Sequence, residues 1–487
     1  MPPLPDVPQL LAAAVAALGG TERAGQLTMA SAVAHAIDTH THLAVQAGTG
    51  TGKSLAYLVP GIRHALQTGR TVVVSTATIA LQRQLVERDL PRLAAALGPL
   101  LGEEPEFAIL KGRNNYLCLN KIRTGVTDDP AEPELFDAFA VSRLGRDVQR
   151  LHKWAEQTET GDRDEVVPGV SDRAWRQLSV TARECLGKAR CPHGVDCFAE
   201  LARNRSAQVD VVVTNHALLA IDAISGLSVL PEHDVVIVDE AHELVDRVTG
   251  VATAELSPAS ITAAVRRTGK LVPEDELDRM QAAADALERL LSELNPGRWD
   301  AFPSGADAVL ALVRDAAWAV RTAVAPSRSG PSDPAAAAAR AAALAALDEV
   351  HDAAARTLTA FDDPDPAARK DVVWLEDGRD RRTIRIAPLS VGGLLRSRLF
   401  ETATVILTSA TLQLGGSFDT LARTWGLPAH ERDPRGDAAL ATGAEPPSDE
   451  AEMAWTGLDV GSPFDHARAG ILYVAKHLPA PGRDGLA

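Results

Sequence analysis

The eight residues Ala47-Gly48-Thr49-Gly50-Thr51-Gly52-Lys53-Ser54 have the composition of a loop built to hold phosphate, with Ala47 in place of the usual first glycine. Small side chains let backbone N–H groups curl around a β-phosphate. A lysine then reaches the β- and γ-oxygens, and the hydroxyl that follows it binds Mg²⁺. The competing reading is a glycine-rich turn that happens to end in Lys-Ser. An apolar strand before the loop and a helix after it are the setting the phosphate loop needs, and both are predicted here. Far downstream, Asp239-Glu240-Ala241-His242 closes the apolar run Val-Val-Ile-Val. A carboxylate at the end of a buried strand beside the loop strand can hold the water shell of Mg²⁺, and Glu240 is placed to orient or deprotonate an attacking water. His242 is assigned to linking this site to the sheet. Together, Lys53, Asp239 and Glu240 form a candidate catalytic set for ATP hydrolysis.

Four cysteines form the second constellation. Cys118, Cys185, Cys191 and Cys197 are separated by gaps of 66, 5 and 5 residues. Structural zinc sites pair cysteines at closer spacing, and ferredoxin runs differ as well. Buried apolar thiols, an unusual zinc site and an iron–sulfur cluster therefore all remain open on spacing. Arg183, Lys188, Arg190, Arg203 and Arg205 outnumber Glu184, Asp196 and Glu200 around the last three, which suits an anionic partner or a solvated face.

These residues need a scaffold, and the hydrophobic pattern supplies one. Short Val/Ile-rich runs at 42–46, 71–75, 209–214 and 235–239 alternate with helical patterns at 53–67 and 79–89. Continuous β-branched runs between helices predict a parallel sheet covered on both faces, an α/β core. Residues 111–205 hold all four cysteines and little strand character. Residues 250–384 are Ala-rich and helical by pattern, with Leu277, Met280, Ala284, Leu287, Leu291 and Leu294 on one face. Asn295-Pro296-Gly297 stops that helix, a loop is expected from Pro326 to Pro334, and another Ala-rich helix covers 335–358. Strand patterns return at 383–387, 405–407 and 471–474. The chain thus reads as one sheet carrying two insertions.

Composition bounds the partners. The 487 residues include 46% hydrophobic and 23% charged positions, ample for a folded core. There is no apolar run of membrane-spanning length. Residues 10–20 read as a helix rather than a leader core, because Asp6 is the only charge before them. Few cysteines for this length point to a reducing cytoplasm. The formal charge of −16 argues against a polyanionic partner.

The ordered motifs nevertheless resemble the DinG/XPD-like iron–sulfur helicases of superfamily 2, in particular the bacterial DinG-type proteins. Arg23 and Gln26 with Met29 resemble an adenine-reading segment. Gln46 to Ser54 resembles motif I, with Gln46 where the family commonly has Glu. Ser75-Thr76-Ala77-Thr78 and the stretch from Leu81 to Leu85 are similar to motif Ia, which touches the DNA backbone. The segment Lys111 to Cys118 is similar to the one that supplies a first cluster ligand, and Thr214-Asn215-His216-Ala217-Leu218-Leu219 to the strand exit that follows. Asp239–His242 corresponds to motif II and Thr408-Ser409-Ala410-Thr411-Leu412 to motif III. Ser462-Pro463-Phe464 and Leu478-Pro479 resemble the end of a first motor lobe.

The resemblance implies a RecA-like helicase domain 1 over 1–110, 206–249 and 385–487, an iron–sulfur domain over 111–205 and a helical Arch domain over 250–384. It implies a [4Fe–4S] cluster on Cys118, Cys185, Cys191 and Cys197, and Mg²⁺ held by Ser54 and Asp239. ATP would be bound by Arg23, Gln26, residues 47–54 and His242, and DNA contacted by Thr76, Thr78, Gln82 and Arg113. The implied activity is 5′→3′ unwinding of forked DNA, with translocation on single-stranded DNA in the cytoplasm and no membrane. No Gln-x-x-Gly-Arg-x-x-Arg pattern of a second lobe occurs, so a second-lobe polypeptide is expected as a partner, and a truncated motor is the expected state. The alternatives are a nucleotide- and DNA-binding module without motor activity, and an ATPase acting on something other than nucleic acid.

Overall fold

The computed structural model describes residues 4–124, 138–225, 228–324, 334–363, 365–378, 381–433 and 454–465, with positions 468, 470, 471, 473 and 477. The Val/Ile runs form the centre of a seven-stranded sheet. Its strands are β1 (His42–Gln46), β2 (Thr71–Thr76), β3 (Phe107–Ile109), β4 (Val211–Asn215), β5 (His233–Asp239), β10 (Thr404–Ser409) and β11 (Trp455–Asp459), in the order β11-β1-β10-β5-β2-β4-β3. Every pairing in it is parallel. Alternate residues serve opposite faces, as the strand period demands. Leu43, Val45, Val72, Val74 and Ile237 pack under the helices Val7–Ala17, Ala24–Asp38, Lys53–Thr68 and Leu90–Leu101. Ala44, Val73, Val236, Val238 and Leu407 face the helices His216–Ser225 and Leu244–Ala252 and the buried Trp425. This is a RecA-like parallel sheet with helices on both faces and insertions between its strands.

Several expectations are revised. The strand of Asp239 does not lie beside the loop strand, because β10 separates β1 from β5. The helix expected over 79–89 is α-helical only to Arg83 and continues as a π-helix, Gln84–Asp89. The insertion after β5 is not wholly helical: β6 (Ala254–Leu256), β7 (Gly297–Arg298), β8 (Asp371–Asp377) and β9 (Arg382–Pro388) form an antiparallel sheet in the order β6-β9-β8-β7. The strand pattern at 383–387 therefore joins this sheet rather than the parallel one. It turns Ile384 and Ile386 inward against the helices Glu274–Glu293, Ala306–Ala323 and Pro334–Thr359, whose apolar faces share one core with it. Of the strand expected at 471–474, Leu472 and Val474 lie outside the described residues, and Ile471 and Tyr473 belong to no element. Positions 326–333 of the expected loop, and Leu478 with Pro479, also lie outside the described residues.

Candidate nucleotide site and cysteine cavity

The parallel sheet brings the carboxyl ends of β1, β10 and β5 side by side, which is where open α/β sheets carry their ligand crevices. The loop after β1 delivers Lys53 as the first residue of a helix, so its backbone N–H groups and the helix dipole face the crevice. Gly50 and Gly52 have φ of +82° and +87°, a left-handed conformation that costs an L side chain. A Cβ on Gly52 would overlap the Gln26 amide, and one on Gly50 would stand 2.6 Å from the Phe464 ring. The loop is therefore wrapped on two sides. Gln26 Nε2 donates to the Gly52 carbonyl at 3.0 Å and the Arg23 guanidinium to the Gly50 carbonyl. The Thr51 hydroxyl closes the turn on the Gly48 carbonyl at 2.7 Å.

Asp239 and Glu240 stand at the end of β5, and Glu240 has a positive φ of 55° that turns its side chain back over the loop. Lys53 Nζ lies 2.8 Å from Glu240 Oε1. The Ser409 hydroxyl donates to Glu240 Oε2 at 2.9 Å, and His242 Nδ1 is 2.8 Å from the same hydroxyl. Asp239 is buried, accepting the Glu240 backbone N–H on Oδ1 at 3.0 Å and the Tyr57 hydroxyl on Oδ2 at 3.1 Å. Burial pushes the Asp239 carboxyl up against the opposing charge of Lys53. Partial burial works the same way on Glu240, but the hydrogen bond and charge of Lys53, with Ser409 and His242, outweigh it and hold Glu240 below the usual carboxylate range.

The structure thus gathers Arg23, Gln26, residues 47–54, Asp239, Glu240 and His242 around one crevice. Two members escaped the sequence reading. Tyr57 carries no motif signal, although a tyrosine in an otherwise aliphatic helix face was visible. Asp459 accepts from Gln46 Nε2 at 2.9 Å and becomes recognisable only once β11 pairs with β1.

The DNA-contact candidates are dispersed. Thr78 is exposed and caps the helix Ile79–Arg83 by accepting from the Leu81 N–H at 3.3 Å. Thr76 and Gln82 are buried. Arg113 turns away to the cysteines, where Nη1 is 3.6 Å from Cys185 Sγ and Nη2 pairs with Glu200.

Cys118, Cys185, Cys191 and Cys197 line one cavity, closed on one side by Ala338, Ala339 and Ala342 of the helix Pro334–Thr359. All four thiols are free. Among the described residues, no three His, Cys, Asp or Glu side chains stand at the spacing of a single bound metal ion. Hydrogen-bond donors reach the sulfurs. Gly187 N–H and Arg113 both donate to Cys185 Sγ, at 3.4 and 3.6 Å, and backbone N–H groups of Lys121 and Asn120 reach Cys118. Burial pushes the Cys118 and Cys191 thiols up, and neighbouring cysteine sulfurs add to the effect. Four thiols around one cavity with N–H donors on the sulfurs are a donor set that fits an iron–sulfur cluster. No helix among the described residues is long and apolar enough to cross a membrane.

Comparison with known proteins adds lineage to this geometry. Residues 28–103 match the family model of DEAD/DEAH box helicases. Over 489 aligned positions the chain is 54% identical to the ATP-dependent helicase DinG of Mycobacterium tuberculosis, covering 99% of this chain and 70% of that protein. It is 40% identical over 233 positions to the ATP-dependent DNA helicase YoaA of Escherichia coli, covering 47% of this chain and 34% of that one. A solved XPD helicase superposes with a TM-score of 0.48 at 15% identity, over 90% of this chain and 62% of that one.

Proposed function

The chain belongs to the DinG family of ATP-dependent helicases, and from that membership we propose that its crevice hydrolyses Mg-ATP to drive movement along single-stranded DNA and the opening of duplex, 5′→3′ as in the family. The observation that carries the site assignment is the 2.8 Å contact between Lys53 and Glu240, which joins the phosphate loop to the end of β5. The loop N–H groups receive the β-phosphate, and Lys53 transfers its charge from Glu240 to the γ-phosphoryl oxygens. Release of Lys53 frees the Glu240 carboxylate to accept the proton of the attacking water. Its oxygen bonds to the γ-phosphorus as the bond to the β-phosphate oxygen breaks and ADP leaves. Ser54 and Asp239 are the residues that would hold Mg²⁺, which would supply charge neutralisation to the phosphates. Ser409 and His242 keep Glu240 oriented while Lys53 moves. Lys53→Ala is expected to abolish hydrolysis, and turnover at the unsubstituted rate would overturn this assignment.

Thr78 and the exposed turn around it are the part of the DNA-contact set open to a phosphate backbone. Contact there must be local, since the chain carries a formal −16. Affinity for a single strand should fall with salt. The four cysteines are assigned to a [4Fe–4S] cluster within the inserted segment 111–205, and 250–384 to the Arch insertion. When bound, such a cluster ties the segment around Cys118 to the loop carrying the other three ligands. Iron and sulfide analysis after anaerobic purification tests this. About four of each per chain is the expected result, and colourless protein containing zinc would overturn it.

A further inference from the structure

We propose that Tyr57 is a positioning residue for the metal of the nucleotide site, fixing the Asp239 carboxylate through its phenol. The inference rests on reading Asp239 as one of the metal's protein partners. Tyr57 lies one helical turn after Lys53 and is fully buried. Its neighbours Ala56, Leu58, Val59 and Ile62 are buried too, so an aliphatic or phenylalanine side chain would satisfy this face without any polar cost. The hydroxyl has found a carboxylate instead. It donates to Asp239 Oδ2 at 3.1 Å.

A phenol has one proton. Here that proton is committed to Asp239 Oδ2. Asp239 Oδ1 is already held by the Glu240 N–H at 3.0 Å, so the phenol completes the fixing of the carboxylate plane. Mg²⁺ demands near-octahedral geometry and tolerates misdirected ligands poorly. Tyr57 thus sets the Asp239 carboxylate in a ready arrangement before nucleotide arrives.

The test uses the whole chain, with Mn²⁺ as the metal and a fluorescent ADP analogue as the reporter. The readouts are the Mn²⁺ midpoint at which nucleotide binding tightens and the nucleotide affinity in EDTA. Tyr57→Phe is expected to raise the midpoint by about tenfold, the lower end of the ~10–100-fold range for outer-shell partners of metal ligands, with the EDTA affinity unchanged. An unmoved midpoint, while Ser54→Ala and Asp239→Asn each shift it, would overturn the role of Tyr57 and leave the metal site standing. A loss of EDTA affinity in Tyr57→Phe that matches the midpoint shift would show a packing role and would also overturn it. If Ser54→Ala and Asp239→Asn leave the midpoint in place, the underlying site reading falls and this inference with it.

Discussion

Ser409→Ala removes a single hydroxyl at the end of β10, and the geometry lets its effect be worked out. The serine proton is committed to Glu240 Oε2 at 2.9 Å, so the 2.8 Å contact with His242 requires the imidazole to carry its proton on Nδ1 and donate to Ser409. The serine therefore relays a donor from His242 to the carboxylate. In the resting crevice Glu240 is also held by Lys53. Once Lys53 turns to phosphate, Ser409 is the closest side-chain donor left to it, since His242 Nδ1 itself stands 3.4 Å away. A hydrogen bond to a charged group is worth about 1.5–3 kcal/mol. At about 1.36 kcal/mol per decade of rate, that corresponds to a fall in kcat of about 10- to 150-fold. Because Lys53 leaves Glu240 only for the γ-phosphoryl oxygens, affinity for ADP, which lacks that group, should hold. Steady-state ATPase with single-stranded DNA present, alongside fluorescent-nucleotide titration, separates the two quantities. An unchanged kcat, or a loss of affinity equal to the loss of rate, would refute the relay.

Other substitutions probe the scaffold. Gly52→Ala should weaken nucleotide binding and lower thermal stability, since a left-handed L residue costs about 1–2 kcal/mol before the overlap with Gln26 is counted; wild-type binding in this variant would show that the loop geometry is wrongly drawn. His42 is buried on β1, accepts the Val405 N–H at 3.2 Å, and has its pKa lowered from 6.5 to about 4, chiefly by burial and then by the charge of Arg396. The unfolded chain then binds the proton first, so stability is intact above pH 6.5, falls between 6.5 and about 4, and its loss is complete below that. The full effect is about 3 kcal/mol at ~1.36 kcal/mol per decade. His42→Asn should flatten urea-unfolding stability across this window by that amount, and an identical pH slope in the variant would count against the assignment.

The crevice was legible because its parts obey local rules. Backbone capture of phosphate requires small residues and a lysine in sequence, and a buried strand must be a run of β-branched residues, so residues 47–54 and 235–239 announce themselves. What was hidden depends on pairing over distance. β3 spans three residues, too few for a period. β11 reads Trp-Thr-Gly-Leu-Asp, and its glycine looks like a breaker. In the fold a Cβ at Gly457 would stand 2.6 Å from the Phe418 ring, so the residue is small to admit that ring. The order of strands is not written in any one of them, which is why β10 and its Ser409 came between β1 and β5 unforeseen. The antiparallel sheet of the second insertion was masked by the helical composition around it. For the cysteines, the 66-residue gap carries no spacing rule, and only folding brings Cys118 to the other three.

Gln46 shows how a departure from a family pattern becomes intelligible in three dimensions. Where relatives commonly carry Glu, this chain has an amide, and the fold uses both of its ends. Oε1 accepts the backbone N–H groups of Leu412 and Gln413, each at 2.8 Å, and Nε2 donates to Asp459 Oδ2 at 2.9 Å. A carboxylate could perform the first task as well. It could not perform the second, because two carboxylates at hydrogen-bond distance repel or must share a proton. The amide is therefore matched to Asp459, its register partner on β11. The result is a tie across three strand ends, in which β1 holds the segment after β10 with one atom and β11 with the other. The backbone N–H of Gly461 donates to Asp459 Oδ1 at 2.8 Å, and the Gly461 carbonyl receives the Gly48 N–H at 3.0 Å. A change that looks like erosion of the motif is thus one half of a pair, and the pair anchors the turn that braces the phosphate loop.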